Sequence, residues 1–293
     1  MGLLETGTLS IRAKSLEETG DHVSRLSIRC MLAGEQHYKV GSNDYMVHPG
    51  NYLVVNQGQH YRTSFTADTE QEMILVAFKP GLAEALMRDM SCSEEELLDD
   101  PFDVSSGQLL FFERTYDKDP QIAQLFLQLR ELLHHTFQYH QVDTDAIYTR
   151  MLKRLICLHQ HLRPEIDRIK SRKQSTRTEL YKRLHIARDY MEAHMGAQLR
   201  LEDISQAACL SVHHFKRAFS ELFGITPHRF LVDKRMQRSK LLLKDRLLTI
   251  ETISQLSGFA DTSAFIRAFR LSEGMTPGQF RKGSMAPDSG CTL

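Results

Sequence analysis

His213, Lys216 and Arg217 have the side-chain types and the spacing to read a nucleic acid. At i, i+3 and i+4 they share one face of a helix, which gives a cationic, hydrogen-bonding stripe. A guanidinium such as that of Arg217 can grip guanine O6 and N7 with two bonds, and Lys216 can reach a base edge or a phosphate. On a lone helix such a stripe is ordinarily a solvated basic face. A second copy of the segment lowers that weighting. In it Ser263, Ala264 and Arg267 face outward, with Arg270 nearby for a phosphate, and Arg267 stands where Arg217 stands in the first copy. Retention of an exposed arginine is harder to explain by packing than retention of a phenylalanine.

The elements that must position these side chains are themselves duplicated. ISQAACLSVHHFKRAFSELFGITPHRF begins at Ile204 and ISQLSGFADTSAFIRAFRLSEGMTPGQF at Ile253. From Phe215 onward the copies align at an offset of 50 residues; upstream of the turn the offset is 49. Each copy predicts a short helix, a tight turn and a second helix, the helix-turn-helix arrangement. In the first, a helix over 201–208 leads through the turn 209–211 to a helix over Val212–Phe223, with Ser211 as N-cap and Gly224 as terminator. In the second, Ile250–Leu256 leads through 257–260 to 262–272, with Asp261 as N-cap. Phe215, Phe219 and Phe223 share an inward face, as do Phe265 and Phe269. A helix over 180–195, with apolar Leu184, Ile186, Ala187, Tyr190 and Met191, precedes the first copy. Residues 227–243 join the copies as a rod of roughly 25 Å. With the modules' own widths, the two second helices would lie about 34 Å apart, one turn of B-DNA.

Charge supports this division. The 293-residue chain has 37 basic and 37 acidic residues. Residues 1–165 hold 15 Lys and Arg against 24 Asp and Glu, whereas residues 166–283 hold 22 against 12. A basic half fused to an acidic half points to a polyanionic partner for the C-terminal part alone. The composition, 41% hydrophobic and 25% charged, is that of a soluble protein. There is no apolar run of membrane-spanning length and no secretory pattern at the N-terminus. Cys30, Cys92, Cys157, Cys209 and Cys291 form no CxxC pair, which suggests a reducing, cytoplasmic setting.

Residues 1–80 read as short strands separated by turn signals, among them 37–40, 45–47, 52–55 and 73–78, in a small barrel or sandwich. A short helix over 82–89 and an acidic loop over 91–106 follow. Two amphipathic helices come next, one over 121–139 and one capped by Asp143 or Thr144. Their apolar stripes must either cover the barrel or pair with a second subunit. Residues 164–178, polar, basic and aperiodic, read as a linker. The histidines give no metal site: 30–80 contains no H-x-H, and His159 and His161 point to different faces of a helix.

The stretch 184–282 resembles the DNA-binding domain of the AraC/XylS transcription regulators. GFADTSAFIRAFRLSEGMTPGQFR places Gly258, Phe259, Asp261, Ser263, Phe265, Phe269, Gly274, Thr276, Pro277 and Arg281 at family positions, and Arg235 fits the joining helix. Ser205, Ser239 and Ser254 stand where alanine is common. The resemblance implies an α+β multidomain protein with a cupin-like β-barrel and two dimerisation-type helices over 1–163. A linker over 164–178, an all-α domain with two helix-turn-helix units over 179–283 and a tail over 284–293 would follow. It further implies base contacts by His213, Lys216, Arg217, Ser263, Ala264 and Arg267. The N-terminal half is similar to cupin-like effector domains, with Tyr61 where metal cupins carry histidine, so no metal and no cofactor are expected. The partners implied are double-stranded DNA, a second copy of the chain, a small-molecule effector in the barrel and RNA polymerase, with no membrane. Two other functions compete: a ligand-independent regulator whose barrel only dimerises or meets another protein, and a cupin-type metalloenzyme fused to a DNA-binding module.

Overall fold

The computed structural model describes residues 7–13, 19–65, 71–93, 109–134, 141–171 and 173–283. The N-terminal half forms two antiparallel sheets. The larger has the order β1 (Gly7–Ala13), β8 (Gln71–Ala77), β3 (Ser27–Ala33), β6 (Asn51–Val55), β9 (Thr115–Asp117). The smaller has the order β2 (Thr19–Val23), β7 (His60–Phe65), β4 (Gln36–Val40), β5 (Asn43–Val47). Alternation along the strands sends Met31, Tyr38, Val40, Tyr45, Val47, Leu53, Val55 and Met73 into the space between the sheets. The four strands read from sequence are all present and extend one or two residues further at their N-terminal ends. Val40 pairs with Asn43 across a two-residue turn. Gly41, at φ 58, supplies the positive dihedral that such a hairpin needs.

The outer face of the larger sheet is also buried. Ile28, Cys30, Tyr52, Val54, Ile74 and Val76 pack against α1 (Leu82–Ser91), α2 (Pro120–His134) and α3 (Gln141–Gln160). Of the two uses open to the amphipathic pair, the sheet-covering one is present. Ile122, Leu125, Phe126 and Leu129 of α2, and Ile147, Met151, Leu155 and Ile156 of α3, cover the sheet. Asp143 and Thr144 lie inside helix α3, so neither stands at its N-cap position. Residues 135–140 and the tail 284–293 are outside the described residues, as is most of the acidic loop 91–106.

The segment 164–178 is not an unstructured connector. Helix α4 (Arg163–Ile166) occupies its start, α5 (Gln174–Ala193) begins within it, and Ile169 is buried between them. The remaining helices are α6 (Leu201–Ala207), α7 (Val212–Phe223), α8 (Pro227–Leu242), α9 (Ile250–Leu256), α10 (Thr262–Glu273) and α11 (Pro277–Gly283). They enclose two small cores. Phe215 and Phe219 centre one; Phe265 and Phe269 centre the other. Ser205, Ser239 and Ser254 are buried where helices meet. The Ser239 hydroxyl bonds to the Ser257 hydroxyl at 2.9 Å, whereas Ser254 Oγ finds no partner among the described residues.

Helix α5 has two buried faces. Leu180, Leu184, Ala187 and Met191 face the helical core, while Tyr181, His185, Asp189 and Glu192 form a second buried stripe directed at the β domain. Asp189, whose side chain has 0% exposure, accepts the Thr115 N–H of edge strand β9 at 3.0 Å and the Thr115 hydroxyl at 2.7 Å. Arg188 pairs with the same carboxylate at 2.7 Å and donates to the Thr115 carbonyl. Arg114 donates to His185 Nε2 at 2.8 Å. The Arg238 guanidinium on α8 meets Glu35, in the β3–β4 turn, at 3.3 Å.

Three histidines sit at or beside this contact with their basicity reduced. Burial lowers His185 well below its ordinary value, helped by the positive charges of Arg188 and Arg114. Burial also lowers His48, which lies 4.0 Å from Glu192, and His159, which packs against Phe111 and Phe112. In the unfolded chain such rings take a proton at about pH 6.5, while in the folded chain they resist it. Stability is therefore complete above pH 6.5 and falls as the pH drops below it. Thermal unfolding between pH 7.5 and 5.5 should show a falling midpoint, with a shallower fall in His185→Gln; a flat or rising midpoint would contradict the neutral, buried His185.

The two helix-turn-helix turns, the second longer by one residue, differ in the residue that takes the left-handed conformation. At the 49-residue offset, Cys209 (φ 51) corresponds to Gly258 (φ 80). A Cβ on Gly258 would stand 2.0 Å from the Met195 carbonyl oxygen and 3.0 Å from the Arg235 guanidinium. Arg235 is itself fixed there, donating to the Met195 and Ala197 carbonyls at 3.0 and 2.7 Å. Gly258→Ala should therefore cost about 3 kcal/mol or more in chemical unfolding. Cys209→Gly, at an exposed turn, should change stability by less than about 1 kcal/mol.

Candidate nucleic-acid interface

Helix α7 starts where Ser211 accepts the His214 N–H at 3.4 Å and stops at Gly224, which takes the left-handed conformation at φ 73. Phe215, Ala218, Phe219 and Leu222 bury one side. The phenylalanine rings continue as an edge-to-face series: Phe215 to Phe219 at 5.4 Å and Phe219 to Phe230 at 5.7 Å. That series fixes the rotation of α7, and His213, Lys216 and Arg217 emerge exposed on the opposite side. Arg217 Nε lies 3.9 Å from Glu221 one turn on, too long and too exposed to withhold the guanidinium from a ligand.

Helix α10 repeats the construction. Asp261 Oδ1 accepts the Ala264 N–H at 2.7 Å, Gly274 ends the helix at φ 73, and Phe265 and Phe269 are fully buried. Ser263, Arg267 and Arg270 are exposed and Ala264 is half-buried. Lys240 of α8 reaches Glu273 at 2.8 Å and ties the joining helix to the end of α10. The sequence thus placed both helices and both caps, and the structure gathers these side chains into two outward stripes of different chemistry. One has an imidazole, an ammonium and a guanidinium; the other has two guanidinium groups and a hydroxyl.

Sequence reasoning missed the polar residues that seat this module on the β domain, notably His185, Asp189 and Glu192. Their signal was the 4-4-3 spacing of Tyr181, His185, Asp189 and Glu192 along α5, which reads equally well as a solvated face. The His159 ring packs against Phe111 and Phe112. No helix among the described residues is long and apolar enough to cross a membrane.

Comparison with known proteins agrees with the two-part architecture. The model of the helix-turn-helix domain matches residues 204–283, and that of the AraC-like ligand binding domain matches residues 19–152. LumQ of Photobacterium leiognathi is 32% identical over 93 residues, 32% of this chain and 38% of LumQ. YdeC of Bacillus subtilis, an uncharacterized HTH-type transcriptional regulator, is 24% identical over 253 residues, 86% of this chain and 82% of its own. The chain therefore spans well under half of LumQ and most of YdeC. ToxT from Vibrio cholerae aligns over 94% of this chain and 98% of its own, at 10% identity and a TM-score of 0.33. With a duplicated, capped helix-turn-helix module behind a two-sheet ligand-binding-type domain, the chain belongs to the AraC family of transcriptional regulators rather than to an enzyme family.

Proposed function

We propose that α7 and α10 enter two successive major grooves on one face of B-DNA, and that sequence discrimination is concentrated in α7. The observation that carries this reading is the pair of outward stripes on helices whose rotation is fixed by buried phenylalanines. His213, Lys216 and Arg217 offer donors to base edges, while Ser263, Arg267 and Arg270 serve chiefly the backbone and Ala264 offers no hydrogen bond. Helix α8, 16 residues long, supplies a spacer of about 24 Å. Half-site reading of this kind suits a homodimer, and a regulator so bound is placed to meet RNA polymerase.

The effector belongs to the β domain, between the two sheets. Arg29 is buried there at 2% exposure, 3.6 Å from the Tyr61 ring centroid, with its Nε unpartnered among the described residues. A buried cation of this kind would accept a small anionic effector, a carboxylate being the simplest.

Mobility-shift titration tests the DNA assignment. Arg217→Ala should weaken specific binding by about 1–3 kcal/mol and relax one base preference, whereas Arg270→Ala should weaken all sequences alike and lower the salt slope by about one. Unchanged affinity in Arg217→Ala would remove α7 from base reading. For the effector, a thermal-shift screen of carboxylates should raise the midpoint of the native chain but not that of Arg29→Met. A complete absence of response would favour a barrel that acts without ligand.

A further inference from the structure

We propose that His37, Asp44 and His194 form a binding site for a divalent first-row transition-metal ion, of the zinc or cobalt class, that bridges the β domain and the DNA-binding domain. His37 and Asp44 belong to the β4–β5 hairpin. In its register His37 faces Met46 and Lys39 faces Asp44, so His37 and Asp44 are diagonal neighbours on one face of the pair. His194 is the C-cap residue of α5 and comes from the other domain. The domain docking described above brings the three together.

The chemistry of the set is that of a borderline cation. Two imidazole nitrogens and a carboxylate oxygen select zinc, cobalt, nickel or copper over magnesium or calcium, which prefer all-oxygen shells. The geometry agrees. His37 Nε2 lies 3.3 Å from Asp44 Oδ1, and His194 Nε2 lies 3.5 Å from Asp44 Oδ2. Ligand atoms bound at about 2.0–2.1 Å to one tetrahedral ion would stand roughly 3.4 Å apart. One ligand atom from each residue lies within 4.8 Å of those of the other two. His37 Nε2 and His194 Nε2 are both buried, and neither makes a well-aligned hydrogen bond among the described residues; each faces an Asp44 oxygen at ion-pair distance, so both nitrogens point into the cluster. The imidazoles approach edge to face, with centroids 6.0 Å apart, and Tyr190 holds His194 by a ring contact at 4.4 Å.

Asp44 also lines a cavity of about 390 Å³ between the hairpin and α5–α6. Through it water or a small ligand can reach the coordination positions that three protein ligands leave open. A bound ion would fasten the hairpin of the ligand-binding-type domain to the end of the helix that scaffolds the first helix-turn-helix. Metal binding itself does not depend on the DNA reading above, and its test uses no DNA.

Cobalt(II) titrated into the full-length protein is the probe, because its visible absorption reports nitrogen and oxygen ligation directly. The site predicts saturation at one equivalent, displacement by zinc, and affinity lowered at least about 100-fold in the His37→Gln/His194→Gln double variant. Zinc titration of the unmodified protein, followed by the imidazole resonances of His37 and His194, gives a readout that does not depend on the folding of a variant; both should move together and saturate together. Failure of those resonances to respond, or cobalt binding of unchanged affinity in a folded double variant, would overturn the assignment.

Discussion

A carboxylate sealed from solvent holds this molecule together. Asp189 lies on a helix of the DNA-binding part, yet its main hydrogen-bond partner is Thr115, on the edge strand of the β domain. An edge strand exposes donors that must be satisfied or covered. Here the covering group is a charge, and a buried charge is tolerated only with a counterion and a full set of hydrogen bonds. Arg188 supplies the counterion and closes the loop by donating to the Thr115 carbonyl. Burial pushes the Asp189 carboxyl upward, against the pull of Arg188. Neither domain completes the arrangement alone. It is a specific lock more than a source of net stability, and it sets where α5, and with it the first helix-turn-helix, stands relative to the sheets.

The rest of the DNA-binding module follows from that helix. Its apolar face lines the first phenylalanine core, and the Met195 and Ala197 carbonyls just beyond its C-terminus are gripped by Arg235 from α8, next to a glycine that tolerates no side chain. The second core is thereby set on the first through one guanidinium and one turn. Helices α7 and α10 are built to the same plan, but their exposed faces carry different chemistry.

Much of this was legible in the sequence because it is local. N-caps, terminating glycines and phenylalanines at helical spacing specify α7 and α10 within a few residues, and Ser211, Gly224, Asp261 and Gly274 act as those patterns imply. Strands β4, β5, β6 and β8 were marked by turns on either side. The rest depends on contacts distant in sequence. Strand β9 is three residues long and has no pattern of its own; pairing with β6 creates it. The polar stripe of α5 looks like a solvated face until the β domain is placed against it, and the same blindness hid the end of the supposed linker. His37, Asp44 and His194 lie far apart in the chain and fit no short motif. The interdomain surface is thus the part least visible to sequence patterns.

The β domain and the DNA-binding module are locked through the Thr115–Asp189 contact. Native-state hydrogen exchange at the Thr115 amide tests it most directly. Protection comparable with the central strands β3 and β8 is expected, with opening together with the amides of α5 around Asp189. Exchange of Thr115 at the rate of an exposed loop, while α5 stays protected, would show that the edge strand is not held by Asp189 and would contradict the lock.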